Sequence, residues 1–411
     1  MMKIKERIMR ILHIQAQLPS KTGSGVYFTN LIKGLEGKMD QACVYGAYPG
    51  YEWETLPKDR QYVLTFPNRY CDFPLPGMSD VMPYESTVYG EMTEAMIRRW
   101  KYAFLEVLLR AYEDFQPDLI LCHHLWFLTD MVRQWFPEAQ IFAICHNTDL
   151  RQAQHHPQLA AQYTRHIKDL DQVFALSSQQ VGQISSLYGL DSDRVSVLGG
   201  GYDDQIFYYE DQEATEPVEV IYAGKIAEAK GVFALIEAFT ERLKGRQDLS
   251  LRLVGNGNPE SLAKMHAAIA NDPRISYQEG VPQEQLAELF RRAAIFVLPS
   301  YYEGLPLVVV EAMACGCYTI VADFPALSDQ LDDRLKQSEL IDYIQLPRLV
   351  NQDQPLAEDL PAYCDRLAQA ILRQADRYRQ KPKQAESYQE EIQQNSWPGL
   401  VDQLLSSIHR A

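Results

Sequence analysis

Short runs of apolar and β-branched residues alternate with longer helical patterns from one end of the chain to the other. This alternation is typical of parallel β-sheets whose faces are covered by helices. The predicted strands of the first half are Arg10–Ile14, Cys43–Ala47, Asp118–Cys122, Gln140–Cys145, Gln172–Leu176 and Arg194–Leu198. Those of the second half are Glu219–Ala223, Leu249–Val254, Ile275–Gln278, Ala294–Leu298 and Tyr318–Val321. The pattern predicts an α/β protein with two doubly wound, Rossmann-like domains.

The break between the two halves is predicted at a glycine triplet. A chain of 411 residues is expected to hold two or three domains at about 150 residues each. Gly199–Gly201 precede an acidic segment with few aliphatic residues, Tyr202–Pro217, which is interpreted as a linker. The amphipathic segment Trp397–Ile408 needs a surface to pack on. The predicted domains are therefore residues 1–205, 206–390 and 391–411.

The overall charge excludes one class of partner. Lys and Arg number 39 and Asp and Glu 55, which gives a formal net charge of −16. Broad nucleic-acid binding needs a basic face, so no nucleic-acid partner is expected. The sequence has no run of about 18 uncharged apolar residues, so no membrane span is predicted. Four basic residues lie near the N-terminus: Lys3, Lys5, Arg7 and Arg10. The apolar run that follows them is too short for a signal peptide, which favours a cytoplasmic protein.

The seven cysteines do not form a recognisable framework. Their number is odd, and no CxxC pair occurs. A disulfide scaffold or a zinc site is therefore not expected, and the thiols are interpreted as reduced and structural.

Two lysines flank a predicted helix start in the second half. Lys225 and Lys230 lie in the turn Gly224–Gly231, which follows a predicted strand and precedes a helix at Val232. In open parallel sheets, ligands bind at such turns, where backbone N–H groups and the helix dipole favour anions. The pair could hold a diphosphate, each charge-assisted hydrogen bond contributing about 1.5–3 kcal/mol. The alternative is that both are solvated loop charges.

A second turn carries two carboxylates. Pro306 suits the first position of a helix, which leaves Glu303 in the entry loop. Glu311 lies five residues beyond Pro306, or about 7.5 Å along a helix. Carboxylates suit vicinal hydroxyls, and the amides of Gly304 and Leu305 suit negative oxygen. This combination indicates a nucleotide sugar.

The spacing of Glu303 and Glu311 resembles the signature of the GT-B-fold glycosyltransferases of family 4, the glycosyl transferases group 1, in which seven residues separate two glutamates. The turn with Lys225 and Lys230 and the segment Val254–Gly257 follow the family's order. The resemblance implies the GT-B fold: two Rossmann-like domains face a cleft, and the C-terminal helix packs back on the N-terminal domain. It also implies retaining, nucleotide-sugar-dependent transfer.

The resemblance implies roles for individual residues. Lys225 and Lys230 would contact the donor diphosphate, and Glu311 would hold the ribose hydroxyls. The remaining implied contacts to donor or sugar involve Glu303, Gly304, Leu305, Gly255, His146 and the glycine-rich loop with Gly23 and Gly25. The donor would be UDP- or GDP-linked, and no cofactor or catalytic metal is implied. Three departures from the family's usual pattern are Lys225 in place of arginine, Cys317 in place of proline and Phe324–Ala326 in place of a glycine pair.

The first half contains a glycine-rich turn and a histidine at a strand end. The turn Pro19–Gly25 is neither a P-loop nor Gly-x-Gly-x-x-Gly, which disfavours an ATPase or a nicotinamide enzyme. A plain tight turn is the alternative. His146 follows the strand Gln140–Cys145, although a lone histidine is often structural. The other histidines considered are interpreted as cleft or surface residues; they are His123, His124, His155 and His156.

The segment Glu91–Tyr112 has two interpretations. Basic residues alternate with aromatic and aliphatic ones; these are Arg98, Arg99, Lys101, Trp100, Tyr102, Phe104 and Leu105. A helix packed on the sheet by its apolar face is favoured. The alternative is peripheral contact with a membrane that carries a lipid-linked acceptor.

The leading functional hypothesis is transfer of a sugar from a nucleoside diphosphate to an acceptor hydroxyl with retention, in polysaccharide, glycolipid or other glycoconjugate synthesis. A sugar, a lipid-linked molecule or a small molecule could be the acceptor. Two alternatives remain open: a nucleotide-sugar epimerase on the same fold, and a catalytically silent nucleotide-sugar-binding partner protein. Glu303 and Glu311 flank a helix start rather than one scissile bond, which disfavours a hydrolase.

Overall fold

The computed structural model describes residues 8–211, 215–323, 325–351, 353–382 and 384–410. Four residues discussed above, Lys3, Lys5, Arg7 and Phe324, lie outside these ranges. The chain divides into two units. The first ends at Gly199 and also takes in the residues from Val401 onward, and the second runs from Gly200 to Leu400.

The first unit is built on a seven-stranded sheet in which every neighbouring pair is parallel. Its strands are Arg10–Gln15 (β1), Asp40–Ala47 (β2), Gln61–Thr65 (β3), Leu119–His123 (β4), Ile141–Ile144 (β5), Gln172–Ala175 (β6) and Val195–Val197 (β7). Their order is β3-β2-β1-β4-β5-β6-β7. The order reverses between β1 and β4, so the loops after these two strands open a crevice at the carboxyl edge.

Helices cover this sheet, and their apolar sides supply its core. They are Gly23–Gly34 (α1), Glu94–Phe115 (α2), Phe127–Trp135 (α3), Asn147–His155 (α4), Pro157–Tyr163 (α5) and Ser178–Tyr188 (α6). A two-residue ladder joins Pro76–Gly77 to Thr87–Val88 within the long connection that precedes α2. The central strand β4 is buried throughout, as expected for a parallel strand covered on both faces.

The second unit repeats the plan with six parallel strands. They are Val218–Ala223 (β8), Leu249–Val254 (β9), Ile275–Gln278 (β10), Ile295–Leu298 (β11), Tyr318–Ala322 (β12) and Ile341–Ile344 (β13). Their order is β10-β9-β8-β11-β12-β13. The reversal here falls between β8 and β11, so their carboxyl ends flank the second crevice.

The helices of the second unit are on average shorter than those of the first. They are Val232–Glu237 (α7), Pro259–Ile269 (α8), Gln283–Arg292 (α9), Leu307–Ala314 (α10), Pro325–Gln330 (α11), Asp333–Lys336 (α12), Leu360–Gln380 (α13) and Gln389–Gln393 (α14), and the last helix, Trp397–Ile408 (α15), begins in this unit. A π-helical turn, Ala238–Arg242, extends α7, and a short ladder joins Leu349–Val350 to Gln354–Pro355.

The strand pattern was predicted correctly except at two sheet edges. All eleven predicted strands are present, with ends shifted by a few residues at most, but β3 and β13 were missed. Both lie at an edge of their sheet and are only partly buried. Polar residues such as Gln61 and Asp342 are tolerated there, and they interrupt the apolar run by which a central strand is recognised.

The predicted boundary differs from the division that the structure makes. Tyr202–Pro217 was interpreted as a linker, but Tyr202 and Phe207 are buried in the core of the second unit. Since these aromatic side chains pack there, the units divide at Gly199 and Gly200 rather than after residue 205. The second unit also continues past residue 390, because Ile392 belongs to the same core.

The C-terminal helix α15 changes unit along its length. Its residues from Val401 onward belong to the first unit, as the predicted return of this helix requires. Leu404 and Ile408 are buried, and Lys38 Nζ lies 2.8 Å from Asp402 Oδ1. The helix therefore supplies apolar residues that the first unit buries.

The helix α2 packs by its apolar face. Trp100, Phe104 and Leu108 are buried in the core of the first unit, while Tyr102 is largely exposed. The packed interpretation of this segment is therefore confirmed. Within the described ranges, no helix combines the length and hydropathy that a membrane crossing requires. All seven cysteines are buried and unpaired, as predicted.

Two adjacent leucines of α2 provide a matched test of this packing. Leu108 is fully buried, whereas Leu109 is 38% exposed. We expect Leu108→Ala to lower the free energy of unfolding of the first unit by about 2–5 kcal/mol, because it leaves a cavity. Leu109→Ala should cost about 0.5 kcal/mol or less. Urea unfolding followed by circular dichroism would measure both; equal losses would contradict the assigned face.

Candidate functional site

A cavity of about 420 Å³ opens at the carboxyl ends of four neighbouring strands of the second unit, β10, β9, β8 and β11. The residues that line it are Tyr222, Ala223, Gly224, Lys225, Lys230, Val254, Gly255, Asn256, Gly280, Val281, Leu286, Leu298, Glu303 and Val308. Apolar side chains and three charged ones, Lys225, Lys230 and Glu303, contribute to its lining. Such a cavity can hold an elongated ligand with a ring at one end and negative charge at the other.

Close backbone contacts shape this cavity. Gly255 has φ +150°, and a Cβ there would lie 1.8 Å from the carbonyl oxygen of Gly224. Gly231 has φ +64°, and its Cβ would lie 1.9 Å from the carbonyl oxygen of Pro299. Only glycine fits either place, so the loops after β8, β9 and β11 are pressed together at the cavity wall.

Hydrogen bonds hold the lysine-bearing turn in place. The Tyr222 hydroxyl donates to the Lys225 carbonyl at 2.8 Å, and the Tyr301 amide donates to the Ala229 carbonyl at 3.0 Å. The turn is therefore ordered before any ligand binds. Both predicted lysines line the cavity.

The two lysines differ in their contacts. Lys230 Nζ lies 2.8 Å from Glu303 Oε1, and both side chains are partly buried. The Lys225 side chain has no ion pair or hydrogen bond among the described residues, and it is exposed. The structure thus brings Lys225, Lys230 and Glu303 together, with one ammonium group free and the other neutralised by the carboxylate.

Glu311 is a partly buried carboxyl group on the helix α10. Burial raises its pKa to about 7. In the described part of the chain its side chain has neither a hydrogen bond nor an ion pair, and it does not line the cavity itself. A buried carboxylate without a partner is costly, so this group is suited to a ligand that brings hydroxyl donors.

The start of α10 corrects one local prediction. The helix begins at Leu307, with Pro306 at the N-cap rather than at the first helical position. Pro306 has ψ 62°, which is not helical, so the helix begins one residue later than expected. Gly304 and Leu305 lie in the entry loop as predicted, but they are not among the residues lining the cavity.

The first unit gathers histidines at the carboxyl edge of its sheet. His146 is the N-cap of α4, and its Nε2 lies 3.4 Å from His123 Nδ1. Burial, and then the neighbouring His124, lower the pKa of His146 to about 3 against the opposing effect of Asp149. Burial also lowers the pKa of His13 to about 4. Near neutral pH both imidazoles are therefore uncharged.

A buried carboxylate in this cluster was missed by the sequence analysis. Asp149 Oδ1 lies 2.5 Å from His124 Nδ1, and Asp149 Oδ2 accepts the amides of Leu125 and His146. His123 and His124, which were interpreted as cleft or surface residues, are buried. The available signal was the spacing: an acidic residue three positions after a strand-end histidine suits the third position of a helix.

The two predicted glycines of the first unit differ in their surroundings. The helix α1 begins at Gly23, and its N-cap, Thr22, accepts the Gly25 amide at 3.0 Å. A Cβ at Gly25 would lie 2.7 Å from the Ser20 nitrogen and 2.8 Å from the Leu18 carbonyl oxygen. A Cβ at Gly23 would meet nothing within 4 Å. Gly25 thus allows the loop to fold tightly, whereas Gly23 leaves the helix start open.

Among the described residues, no group of three or more His, Cys, Asp or Glu side chains is placed to hold a metal ion. The independence from metal that the resemblance implies stays a prediction.

Two family models match consecutive parts of the chain. Residues 22–206 match the model for glycosyltransferase family 4, and residues 207–339 match the model for glycosyl transferases group 1. Their junction lies close to the division between the two units.

Curated relatives match over a shorter stretch. A D-inositol 3-phosphate glycosyltransferase from Nocardia farcinica is 29% identical over 184 residues, which are 41% of this chain and 41% of the relative. The protein of the same name from Streptomyces scabiei is 28% identical over 183 residues, or 40% of this chain and 41% of the relative. The chain therefore aligns with less than half the length of these relatives.

Solved structures match over nearly the whole chain. Sucrose-phosphate synthase from Thermosynechococcus elongatus superposes with a TM-score of 0.63 at 16% identity, covering 98% of both chains. Anabaena HepE in complex with UDP gives a TM-score of 0.60 at 15% identity, covering 98% of this chain and 100% of the other. At this identity the likeness concerns the fold, and the predicted GT-B class is confirmed.

The two glycines of the first unit provide a second test. We expect Gly25→Ala to lower the free energy of unfolding of the first unit by about 1–3 kcal/mol, because the added Cβ meets backbone atoms that must shift. Gly23→Ala is the matched control and should leave stability unchanged or slightly improved, since alanine favours a helix. Thermal unfolding of both variants would measure the difference; equal stabilities would show that the Gly25 contact is not restrictive.

Proposed function

Because the chain belongs to the GT-B-fold glycosyltransferases of family 4, we propose that it transfers a sugar from a nucleoside diphosphate to an acceptor hydroxyl with retention of the anomeric configuration. The observation that carries this proposal is the cavity of the second unit, whose wall brings Lys225, Lys230 and Glu303 together beside apolar residues.

The diphosphate of the donor would occupy the part of this cavity that Lys225 and Lys230 line. Lys225 offers an unpaired ammonium group, and Lys230 offers one that Glu303 now holds. A diphosphate that approached Lys230 would compete with Glu303 and release its carboxylate. The freed carboxylate could then accept hydroxyl groups of the sugar, since an ionised carboxylate is an acceptor only. One binding event would thus prepare both contacts.

Glu311 is proposed to hold the ribose. Its raised pKa and lack of a partner mean that ionising it is unfavourable in the empty protein. Two ribose hydroxyls donating to this carboxylate would remove that cost. A ribose bound there would offset the cost that burial places on the charge of Glu311.

We propose UDP as the nucleotide, because a structure of similar fold, Anabaena HepE, was solved in complex with UDP. For the acceptor we propose a molecule rich in hydroxyl groups, such as a sugar or a cyclitol. The support is the name of the curated relatives, D-inositol 3-phosphate glycosyltransferase. The acceptor would bind to the first unit, at the carboxyl edge where Gly25 and His146 lie.

The proposed mechanism needs no metal. As the glycosidic bond breaks, positive charge develops on the sugar and negative charge on the departing diphosphate. Lys225 and Lys230 would stabilise the diphosphate, and the leaving phosphate would take the proton of the acceptor on the same face of the sugar. Ammonium groups fixed before the reaction can do this because they need not reorganise in the transition state.

Product analysis would test this function against its rivals. The purified protein would be incubated with UDP-hexoses, with and without a panel of polyol and sugar acceptors, and the products followed by proton NMR. A new glycoside with the donor's anomeric configuration is expected. An altered donor sugar without any acceptor would indicate an epimerase, and donor binding without turnover would indicate a silent binding partner.

The free lysine provides a third prediction. We expect Lys225→Ala to weaken binding of a UDP-hexose by about 10- to 100-fold, because one charge-assisted hydrogen bond to phosphate is lost. Lys244→Ala is the control: Lys244 is also an exposed lysine of the second unit, but it does not line the cavity. Titration calorimetry would measure both affinities. Equal affinities would contradict the placement of the diphosphate.

Glu311 provides a fourth prediction, on pH dependence. Its pKa in the empty protein is raised to about 7, and only the ionised form accepts two hydroxyls. Affinity for a UDP-hexose, whose diphosphate does not titrate near neutrality, should therefore rise as pH increases through about 7. Glu311→Gln should bind more weakly and lose this rise. Calorimetry on both sides of that pH would check it; the same pH profile in both proteins would exclude Glu311 as its cause.

A further inference from the structure

The first unit contains a chain of buried polar side chains that the proposed donor contacts do not use. It begins at Asp149, which is fully buried, and whose Oδ1 contacts His124 Nδ1 at 2.5 Å. It continues to Gln17, which is also buried and whose Nε2 lies 3.4 Å from His124 Nε2. The three residues come from the loop after β1, the loop after β4 and the first turn of α4.

The protonation of this chain can be assigned. Burial raises the pKa of Asp149, but its contact with His124 and the hydrogen bond from the Leu125 amide lower it by more, so that the net shift is downward and the group is a carboxylate at neutral pH. A carboxylate only accepts hydrogen bonds, so His124 must carry a proton on Nδ1. Gln17 Oε1 accepts the Met78 amide, so its NH₂ group faces His124 Nε2, which is therefore the acceptor of this contact.

Gln17 connects His124 to two loops by hydrogen bonds. Its Nε2 donates to Ser24 Oγ at 2.8 Å, and its Oε1 accepts the Met78 amide at 3.2 Å. Because Oε1 faces a backbone N–H, the orientation of the amide is determined. Ser24 lies at the start of α1 in the glycine-rich turn, and Met78 lies in the long connection before α2.

The backbone at His124 is strained. His124 has φ +74°, in the left-handed region that only a few per cent of residues other than glycine adopt. Three contacts hold it there: the Asp149 carboxylate, the Ile144 carbonyl, which accepts its amide, and Thr129, whose hydroxyl donates to its carbonyl. Strain maintained by several contacts is common where a side chain must be aimed for function.

We propose that Asp149 is a positioning residue: through His124 and Gln17 it fixes Ser24 and the Met78 segment in the arrangement that acceptor transfer requires. This inference rests on the proposed function and adds to it the residues that order the acceptor side. Asp149 contacts His124 and the amides of Leu125 and His146, and its effect on Gln17 passes through the protonation of the His124 ring.

Asp149→Asn tests this directly. The oxygen of the new carboxamide would remain with the amides of Leu125 and His146, so its NH₂ group would face His124 Nδ1. His124 would then carry its proton on Nε2 and point a donor at the donating group of Gln17. We expect kcat/KM for the acceptor to fall by about 10- to 100-fold, because the loops lose their alignment. Affinity for UDP, whose proposed contacts lie in the cavity of the second unit, should stay unchanged.

A matched control is available in the same unit. Asp130 is also a buried carboxylate that contacts a histidine, His166 Nδ1 at 3.2 Å, and the amide of the same residue. Asp130→Asn makes the same chemical change in a pair that has no contact with Gln17 or Ser24. It should leave kcat/KM for the acceptor as in the wild type. A loss equal to that of Asp149→Asn would overturn the proposal, because it would show that the substitution acts through stability and not through Gln17.

A second variant tests for recovery of kcat/KM, which is not expected if Asp149 acts only by stabilising the fold. Gln17→Glu added to Asp149→Asn supplies an acceptor for the reversed His124 ring, and its oxygens can still accept the Met78 amide and the Ser24 hydroxyl. We expect the double variant to recover most of the lost kcat/KM. A double variant at or below the activity of Asp149→Asn would overturn the proposal.

Hydrogen exchange at the Met78 amide separates this inference from the proposed function, since it needs no substrate. Exchange should accelerate in Asp149→Asn, return in the double variant and stay slow in Asp130→Asn. If Asp149→Asn does not fold, Gln17→Met, which removes the same hydrogen bonds without touching the carboxylate, should reproduce the faster exchange and the loss of kcat/KM. Absence of transfer by the wild type would defeat the proposed function alone; wild-type transfer with unchanged Met78 exchange in the variants would defeat this inference alone.

Discussion

The backbone of the second unit passes so close to itself at Gly224 and Gly255 that no Cβ fits at Gly255. This contact joins the loops that leave β8 and β9, and a similar contact joins Gly231 to Pro299 after β11. These close contacts bring the three loops together at the wall of the cavity. The lysines of the turn are consequently held at the wall in the absence of a ligand, which lowers the entropic cost of binding.

Charge is handled locally in a protein that is acidic overall. The net charge of −16 would repel an anionic ligand at long range. At the cavity, however, two ammonium groups face one carboxylate, and Lys230 is already paired with it. A bound anion could therefore contact the free ammonium group of Lys225 and compete with Glu303 for that of Lys230. At other positions burial disfavours charge: it keeps His13 and His146 uncharged near neutral pH and raises the pKa of Glu311 to about 7.

Much of the fold could be predicted because its signals are local. Central parallel strands such as β8 and β9 are continuous apolar runs, and the turns that follow them carry glycine and lysine. The edge strands β3 and β13 lack this signal, since they are half-buried and tolerate polar residues. The N-cap of α10 was off by one residue because Pro306 is equally compatible with either position from sequence alone. For Asp149 the local spacing after His146 indicated a position in the first turn of a helix, but its contact with His124, 25 residues earlier, could be seen only in the structure.

The sequence by itself determined the alternation of strands and helices, the family and the residue types at the turns, because periodicity and motif spacing are properties of neighbouring residues. Only the tertiary structure decided which of these side chains meet. Lys230 and Glu303 are 73 residues apart and form an ion pair, and Gln17 and His124 are 107 residues apart and lie in contact. Such pairs depend on the order of strands in each sheet, which brings distant carboxyl ends to one edge. The burial that shifts the pKa of Glu311 and His146 likewise comes from elements distant in the chain, and no local pattern encodes it.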